Sequence, residues 1–265
     1  MTINKTYRAK KSLGQNFLKS ELALRKIIET GEIKKEDVIL EIGPGKGALT
    51  EKLLEHAGLV IAIEKDYELF ELLKIKFKTQ VENNTLVLVR DDILEFKIES
   101  YKLRASGYKL IANIPYNITG AILKKFLTAE LKPERMVLLV QKEVAERIVA
   151  RPARGRAGGK ESILSTSVKA YGTPKVIMKV PKRYFSPAPK VDSAIIVIKN
   201  ISRKIFEENG VDEQKFWEIV RTGFAHKRKK LSGNLKGLIP EEILVNLGNK
   251  RAEELTLSDW ISLAR

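Results

Sequence analysis

The chain has 265 residues, 43% hydrophobic and 31% charged, enough to bury one large core and carry a small second domain. Forty-nine Lys and Arg against 33 Asp and Glu leave a formal charge of +16, so a polyanion is the expected partner; nucleic acid is favoured over a membrane, because no apolar run approaches a spanning helix and the N-terminus lacks a leader's apolar core. No cysteine and only two histidines, His56 and His226, exclude disulfides and thiolate metal sites and argue against zinc, so a cytoplasmic setting without a metal is expected; a monomer is expected as well.

In chain order, a basic arm with Lys5, Arg8, Lys10 and Lys11 runs into Ser12-Leu13-Gly14-Gln15-Asn16-Phe17-Leu18, a segment suited to touching RNA or covering a site. Leu22, Leu24, Ile27 and Ile28 at helical spacing predict an amphipathic helix over 20–30. From Asp37 the period changes. Strands are predicted at 38–42, 59–63, 86–89, 110–112 and 136–140, with helices at 47–56, 67–79, 117–128 and 141–149. Repeated strand-helix alternation predicts an α/β fold with a mostly parallel sheet and helices on both faces, whose ligand lies at the carboxyl ends of the strands near the topological switch. The runs 175–180 and 193–198 read as an antiparallel edge pair. Helical segments at 212–225, 240–246 and 256–264 then predict a small domain over 201–265, following a larger one over 1–200. Two stretches concentrate positive charge: the Gly-rich loop 151–160, and 221–230 with its consecutive Lys227-Arg228-Lys229-Lys230, for which a solvated helix end is the plain alternative.

The first strand runs into Glu41-Ile42-Gly43-Pro44-Gly45-Lys46-Gly47-Ala48, where glycines let the backbone turn tightly against a ligand at a helix N-terminus. Gly43-x-Gly45-x-x-Ala48 also fits a dinucleotide fingerprint, and Glu64, at the end of the second strand, suits ribose hydroxyls in either case. Three details favour a sulfonium cofactor, S-adenosylmethionine. Glu41 is awkward beside a pyrophosphate but suits a cationic amino-acid group. Asp91-Asp92-Ile93 offers an acceptor for an adenine amine and an apolar face for its ring, and Asn113 closes the fourth strand.

Asn113-Ile114-Pro115-Tyr116 joins an amide acceptor, a backbone whose proline lacks an N–H, and a flat aromatic ring, a set able to hold a planar ring bearing an amine. Taken alone, it also fits a strand-to-helix turn.

Five ordered motifs, Leu13-Gly-Gln-Asn-Phe-Leu18, Glu41-Ile-Gly-Pro-Gly-Lys-Gly47, Asn113-Ile-Pro-Tyr116, Gln141-Lys-Glu-Val144 and Phe185-Ser-Pro-Ala-Pro-Lys-Val-Asp-Ser193, resemble those of the ribosomal RNA adenine dimethyltransferases. That family comprises the kasugamycin-sensitivity enzymes of the small subunit and the related erythromycin-resistance methyltransferases. The resemblance runs from Ser12 into the helical domain. It implies a Rossmann-like class I methyltransferase sheet, S-adenosylmethionine as cofactor, and the exocyclic amines of two adjacent adenosines of 16S rRNA, in an immature small subunit, as acceptors. It places Gln15, Asn16, Leu18, Gly43, Gly45, Glu64, Lys65, Asp92, Ile93 and Asn113 around the cofactor. Asn113 through Tyr116 would hold the target adenine, with Phe185 as a second aromatic wall unless it is ordinary core. The family motif often has Gly where this chain has Asp91, so Asp92 is the expected adenine contact. Lys190-Val-Asp-Ser-Ala194 and 221–230 resemble the small-subunit branch more than the large-subunit one. A non-catalytic assembly factor and a nicotinamide-dependent dehydrogenase are the competing readings.

Overall fold

The structure, a computed structural model, describes residues 7–97, 107–151 and 159–265. Lys5 of the basic arm and residues 152–158 of the expected basic loop lie outside the described residues.

The strands are β1 (Phe17–Leu18), β2 (Val38–Ile42), β3 (Leu59–Glu64), β4 (Leu86–Arg90), β5 (Lys109–Asn113), β6 (Arg135–Gln141), β7 (Thr173–Val180), β8 (Phe185–Ser186) and β9 (Ser193–Lys199). The helices of the first part are α1 (Glu21–Gly31), α2 (Ala48–His56), α3 (Tyr67–Lys76), α4 (Lys78–Glu82), α5 (Thr119–Thr128) and α6 (Lys142–Val149). Each predicted strand forms, within two residues of its expected ends. The predicted helix over 67–79 is broken at Phe77, whose ring is buried beneath the glycine loop, where a Cβ on Gly47 would come within 2.5 Å of it.

The main sheet has seven strands in the order β4-β3-β2-β5-β6-β9-β7. β2 through β6 pair in parallel, and β9 runs antiparallel to β6. Adjacent residues such as Ile39 and Leu40, Val60 and Ile61, and Val137 and Leu138 are all buried, so both faces of the sheet are covered. Ala23, Leu24, Ile27 and Ile28 of α1 join Ile39, Val60, Ile111, Val137 and Ile195 in one core cluster. Strand order reverses between β2 and β5, which puts the crevice at Ile42 and Asn113.

The chain divides into two compact units, but not into the two continuous segments expected. Met1–Ala145 and Lys175–Lys199 form the first, and Glu146–Pro174 and Asn200–Arg265 form the second. The second contains α7 (Ile163–Tyr171), α8 (Lys204–Asn209), α9 (Glu213–Gly223), α10 (Leu231–Asn234), α11 (Glu241–Leu244) and α12 (Leu257–Ala264). Aromatic packing explains why the segment before residue 174 belongs here. The Tyr171 ring stacks on Trp217 and meets Phe206 edge-on, its hydroxyl donates to Glu213, and the Trp217 indole N–H donates back to it at 2.9 Å. Trp260 is fully buried against Phe224.

Candidate active site

A cavity of about 700 Å³ opens at the carboxyl ends of β2, β3 and β5. It is lined by every expected cofactor residue: Gln15, Asn16, Leu18, Gly43, Gly45, Glu64, Lys65, Asp92, Ile93 and Asn113. Glu41, Ile114, Pro115 and Tyr116 line it too.

Its floor is the turn after β2. Gly43 and Gly45 take left-handed backbone conformations, with φ of 63° and 60°, that a side chain would strain. A Cβ on Gly45 would also come within 2.9 Å of the Phe17 ring, so the glycine is what lets the N-terminal segment lie across the loop. The Lys46 ammonium sits 5.1 Å from the centre of that same ring.

Two buried carboxyl groups give the cavity its character. Glu64 accepts the Gly45 and Asp66 backbone N–H groups at 3.1 and 2.8 Å. Burial raises its pKa against these bonds. Glu41 is 1% exposed and its Oε2 has no hydrogen-bond partner. Burial, reinforced by the Glu64 charge, pushes its carboxyl up to about 8. A buried acid with one oxygen left unpartnered beside a second acid favours a cationic ligand and opposes an anionic one. The residues therefore fit a cofactor with a cationic amino-acid group, and fit a pyrophosphate poorly.

At the rim, Asp92 Oδ2 pairs with the Lys65 ammonium at 2.7 Å and Oδ1 accepts the Leu94 N–H at 3.0 Å. Lys65 holds the Asp92 carboxyl below the usual carboxylate range. Asp91 also lines the cavity, its Oδ1 accepting the Asp92 N–H at 2.7 Å.

The roof is the N-terminal segment, and its anchor is a residue that sequence reasoning missed. Asp66 caps α3 through Oδ1, accepting the Glu68 and Leu69 N–H groups at 2.9 and 3.1 Å. Its Oδ2 receives the Lys10 ammonium at 2.8 Å, the Tyr7 hydroxyl at 3.0 Å and the Gln15 amide at 3.4 Å. Gln15 Oε1 in turn accepts the Tyr7 hydroxyl and the Lys10 N–H at 2.6 and 2.7 Å. Lys10 of the basic arm is thus committed to Asp66 and Glu68. An Asp directly before an apolar-periodic helix was the available signal for the cap; its second role, fifty residues from the arm, had none.

On the target side, the Asn113 amide donates from Nδ2 to the Asn16 carbonyl at 3.1 Å, which fixes its orientation and leaves Oδ1 as the acceptor. The Pro115 carbonyl receives the Ile118 N–H at 3.2 Å, closing the turn at Tyr116–Ile118. The Tyr116 hydroxyl bonds the Ser193 hydroxyl at 2.6 Å, and burial raises its pKa. Ser193 is fully buried, and sequence reasoning gave it no task.

Phe185 is not a wall of this cavity. It is 3% exposed within the core cluster, because β8 pairs antiparallel with β1 and sets Phe185 opposite Leu18. The expectation of a second aromatic surface is corrected: Phe185 fastens the roof strand to the core.

The family model for ribosomal RNA adenine dimethylase matches residues 6–264. The chain belongs to that family. Similar to it is the ribosomal RNA small subunit methyltransferase A of Dehalococcoides mccartyi (strain CBDB1), 42% identical over 97% of this chain and 88% of that one. Among solved structures, a dimethyladenosine transferase from Plasmodium falciparum matches with a TM-score of 0.77 at 27% identity, covering 93% of this chain and 95% of that one. The 23S rRNA methyltransferase ErmE matches with a TM-score of 0.70 at 25% identity, covering 94% and 98%. The protein is accordingly an rRNA adenine dimethyltransferase with a class I methyltransferase fold. Among the described residues, no cluster of three or more His, Asp or Glu could hold a metal, and no helix is long and apolar enough to cross a membrane.

Proposed function

We infer that the protein transfers methyl groups from S-adenosylmethionine to the exocyclic amines of two adjacent adenosines of 16S rRNA, acting as a cytoplasmic monomer on an immature small subunit. The observation that carries this reading is Asn113, whose amide is turned by Asn16 so that its oxygen, not its nitrogen, is offered at the end of β5. The small-subunit target is supported by the 42% identity to a small-subunit enzyme, against 25% to a 23S rRNA methyltransferase.

Glu41 suits the cofactor's ammonium, Glu64 its ribose hydroxyls, and Asp92 with Ile93 its adenine. When bound, S-adenosylmethionine supplies an electrophilic methyl group whose leaving group is a neutral thioether. The adenine amine is a weak nucleophile, because its lone pair is delocalised into the ring. Asn113 Oδ1 and a nearby backbone carbonyl can accept its two N–H bonds and favour a pyramidal nitrogen. The Ile114 and Pro115 carbonyls are the two candidates for the second position, and Pro115, which accepts the Ile118 N–H, keeps one lone pair for it. No side chain need remove a proton beforehand, since the ammonium formed by transfer is far more acidic than the amine. Catalysis is then alignment and electrostatics. Unstacking the base costs a few kcal/mol, and stacking on Tyr116, at about 1–3 kcal/mol, offsets much of it.

The reading is tested by methylating immature small subunits with labelled cofactor and mapping the label on both rRNAs. Label on two adjacent adenosines of the 16S molecule is expected. Label confined to large-subunit RNA would overturn it.

A further inference from the structure

A second cavity, of about 420 Å³, adjoins the first and shares Ser12, Asn16, Tyr116 and Asn117 with it; Lys11 and Gln141 complete its polar lining. Its chemistry differs from that of its neighbour. Where the first is lined by buried carboxyl groups, the second presents the Lys11 ammonium, the Ser12 hydroxyl and the carboxamides of Asn117 and Gln141. None of these four side chains makes a hydrogen bond or ion pair to another described residue. Lys11, Ser12 and Asn117 are exposed and Gln141 is half-buried, so the four stand at an open concavity with their polar atoms uncommitted to protein partners and accessible to a polar ligand.

Gln141 is placed there by the sheet. It ends β6, and the β6–β9 register puts it opposite Ser193, the residue that holds the Tyr116 hydroxyl. Tyr116 and Gln141 are therefore positioned by one residue. A base seated at Tyr116 fixes where the next nucleotide of the strand must lie, and the polar cavity shares that ring as a wall.

The groups also say what that nucleotide is. A carboxamide offers a donor and an acceptor side by side, which matches the N6 amine and N7 of adenine. An ammonium suits a phosphate oxygen. We propose that this cavity is a subsite for the adenosine next to the target: Asn117 and Gln141 read its base edge, and Lys11 holds the phosphate that joins the two nucleotides. The proposal rests on the reaction inferred above. It gives the enzyme a means of accepting adjacent adenosines, with one held for reading while the other is methylated.

The test uses immature small subunits whose 16S rRNA carries either the two adjacent adenosines or one adenosine beside a cytidine. Transfer to the target adenosine is measured for the wild type and for Gln141→Ala, Asn117→Ala and Lys11→Ala. Cofactor affinity serves as the control for folding. The wild type should prefer the adenosine neighbour by roughly tenfold or more, as a bidentate base contact allows. Gln141→Ala and Asn117→Ala should narrow that preference towards parity while leaving cofactor affinity unchanged. Lys11→Ala should weaken both substrates equally and lower the salt dependence of binding by about one phosphate contact. A wild type that methylates both substrates equally, or carboxamide variants that keep the full preference, would overturn the subsite and leave the reaction standing. A wild type that methylates neither would overturn the reaction and the subsite with it.

Discussion

Glu64 is held by backbone N–H groups 19 and 2 residues away, whereas Asn113 is held by Asn16, 97 residues away, and Tyr116 by Ser193, 77 residues away. The carboxylates of the cofactor half stand on strand ends and turns that form with the sheet itself, and only its cover, Gln15, Asn16 and Leu18, comes from the N-terminal segment. The target half is assembled from the first and last segments of the unit, the N-terminal roof and β9. A pocket made locally is ready before its ligand arrives. One made from distant segments exists only when those segments are seated, which ties positioning of the acceptor base to the roof. The two halves should therefore respond differently to solution conditions and to mutation.

The largest difference is expected with salt. If RNA binding neutralises six or more phosphates, its affinity should fall at least about 10³-fold between roughly 50 and 200 mM salt. Cofactor affinity, resting on buried carboxyl groups, should change only a few-fold, and parallel titrations would show it. A flat RNA response would remove phosphate contacts from the account; Arg221 and the exposed Lys227 to Lys230 are the first residues to substitute.

Next comes the ring of Tyr116. Tyr116→Ala should lower methyl transfer by about 10²-fold, the upper part of the range for one lost base stack. Tyr116→Phe and Ser193→Ala each remove the same hydrogen bond, so each should cost several-fold. The double variant should be no worse than either single one. Additive losses in single-turnover assays would break the link between Ser193 and the ring.

Glu41→Gln sharpens the cofactor half. Burial holds Glu41 at about 8 in the folded chain, above its ordinary 4.5, so between these values the folded state keeps a proton that the unfolded state has released. Its contribution to stability is therefore complete below pH 4.5 and declines as pH rises to about 8. Glu41→Gln should melt higher than wild type at pH 8, on the order of 5 °C, with the gap closing towards pH 5. The same variant should bind cofactor about tenfold more weakly, having lost a charge-assisted contact. Unchanged cofactor affinity would remove Glu41 from the site.

Asp66→Asn should have the smallest effect, a few-fold loss of transfer with cofactor binding nearly kept, since its Oδ1 cap survives while its charge partner Lys10 is lost.

How much of this was legible in the sequence follows the same division. The strands were readable as short β-branched runs, and Glu41, Glu64, Asp92 and Asn113 announced themselves as polar residues closing such runs in order. The helix at Ile163–Tyr171 was missed, because its capping box pairs Ser162 with Ser165 and lacks the acidic partner that usually marks one. Ser193 and Asp66 carried no local signal for what they do, since each acts on a residue more than fifty positions away. Phe185, flanked by a polar residue and prolines, was expected as a second wall for the base, with ordinary core as the alternative; a two-residue strand pairing with Leu18 draws it into the core. Local chemistry was visible, and contacts closed by the tertiary fold were not.

The central claim is that the two halves do separable work, and Asn113→Ala tests it most directly, with cofactor titration and methyl transfer measured on the same preparation. The account predicts that transfer is abolished while cofactor affinity stays within about tenfold of wild type. Turnover near the wild-type rate would contradict it.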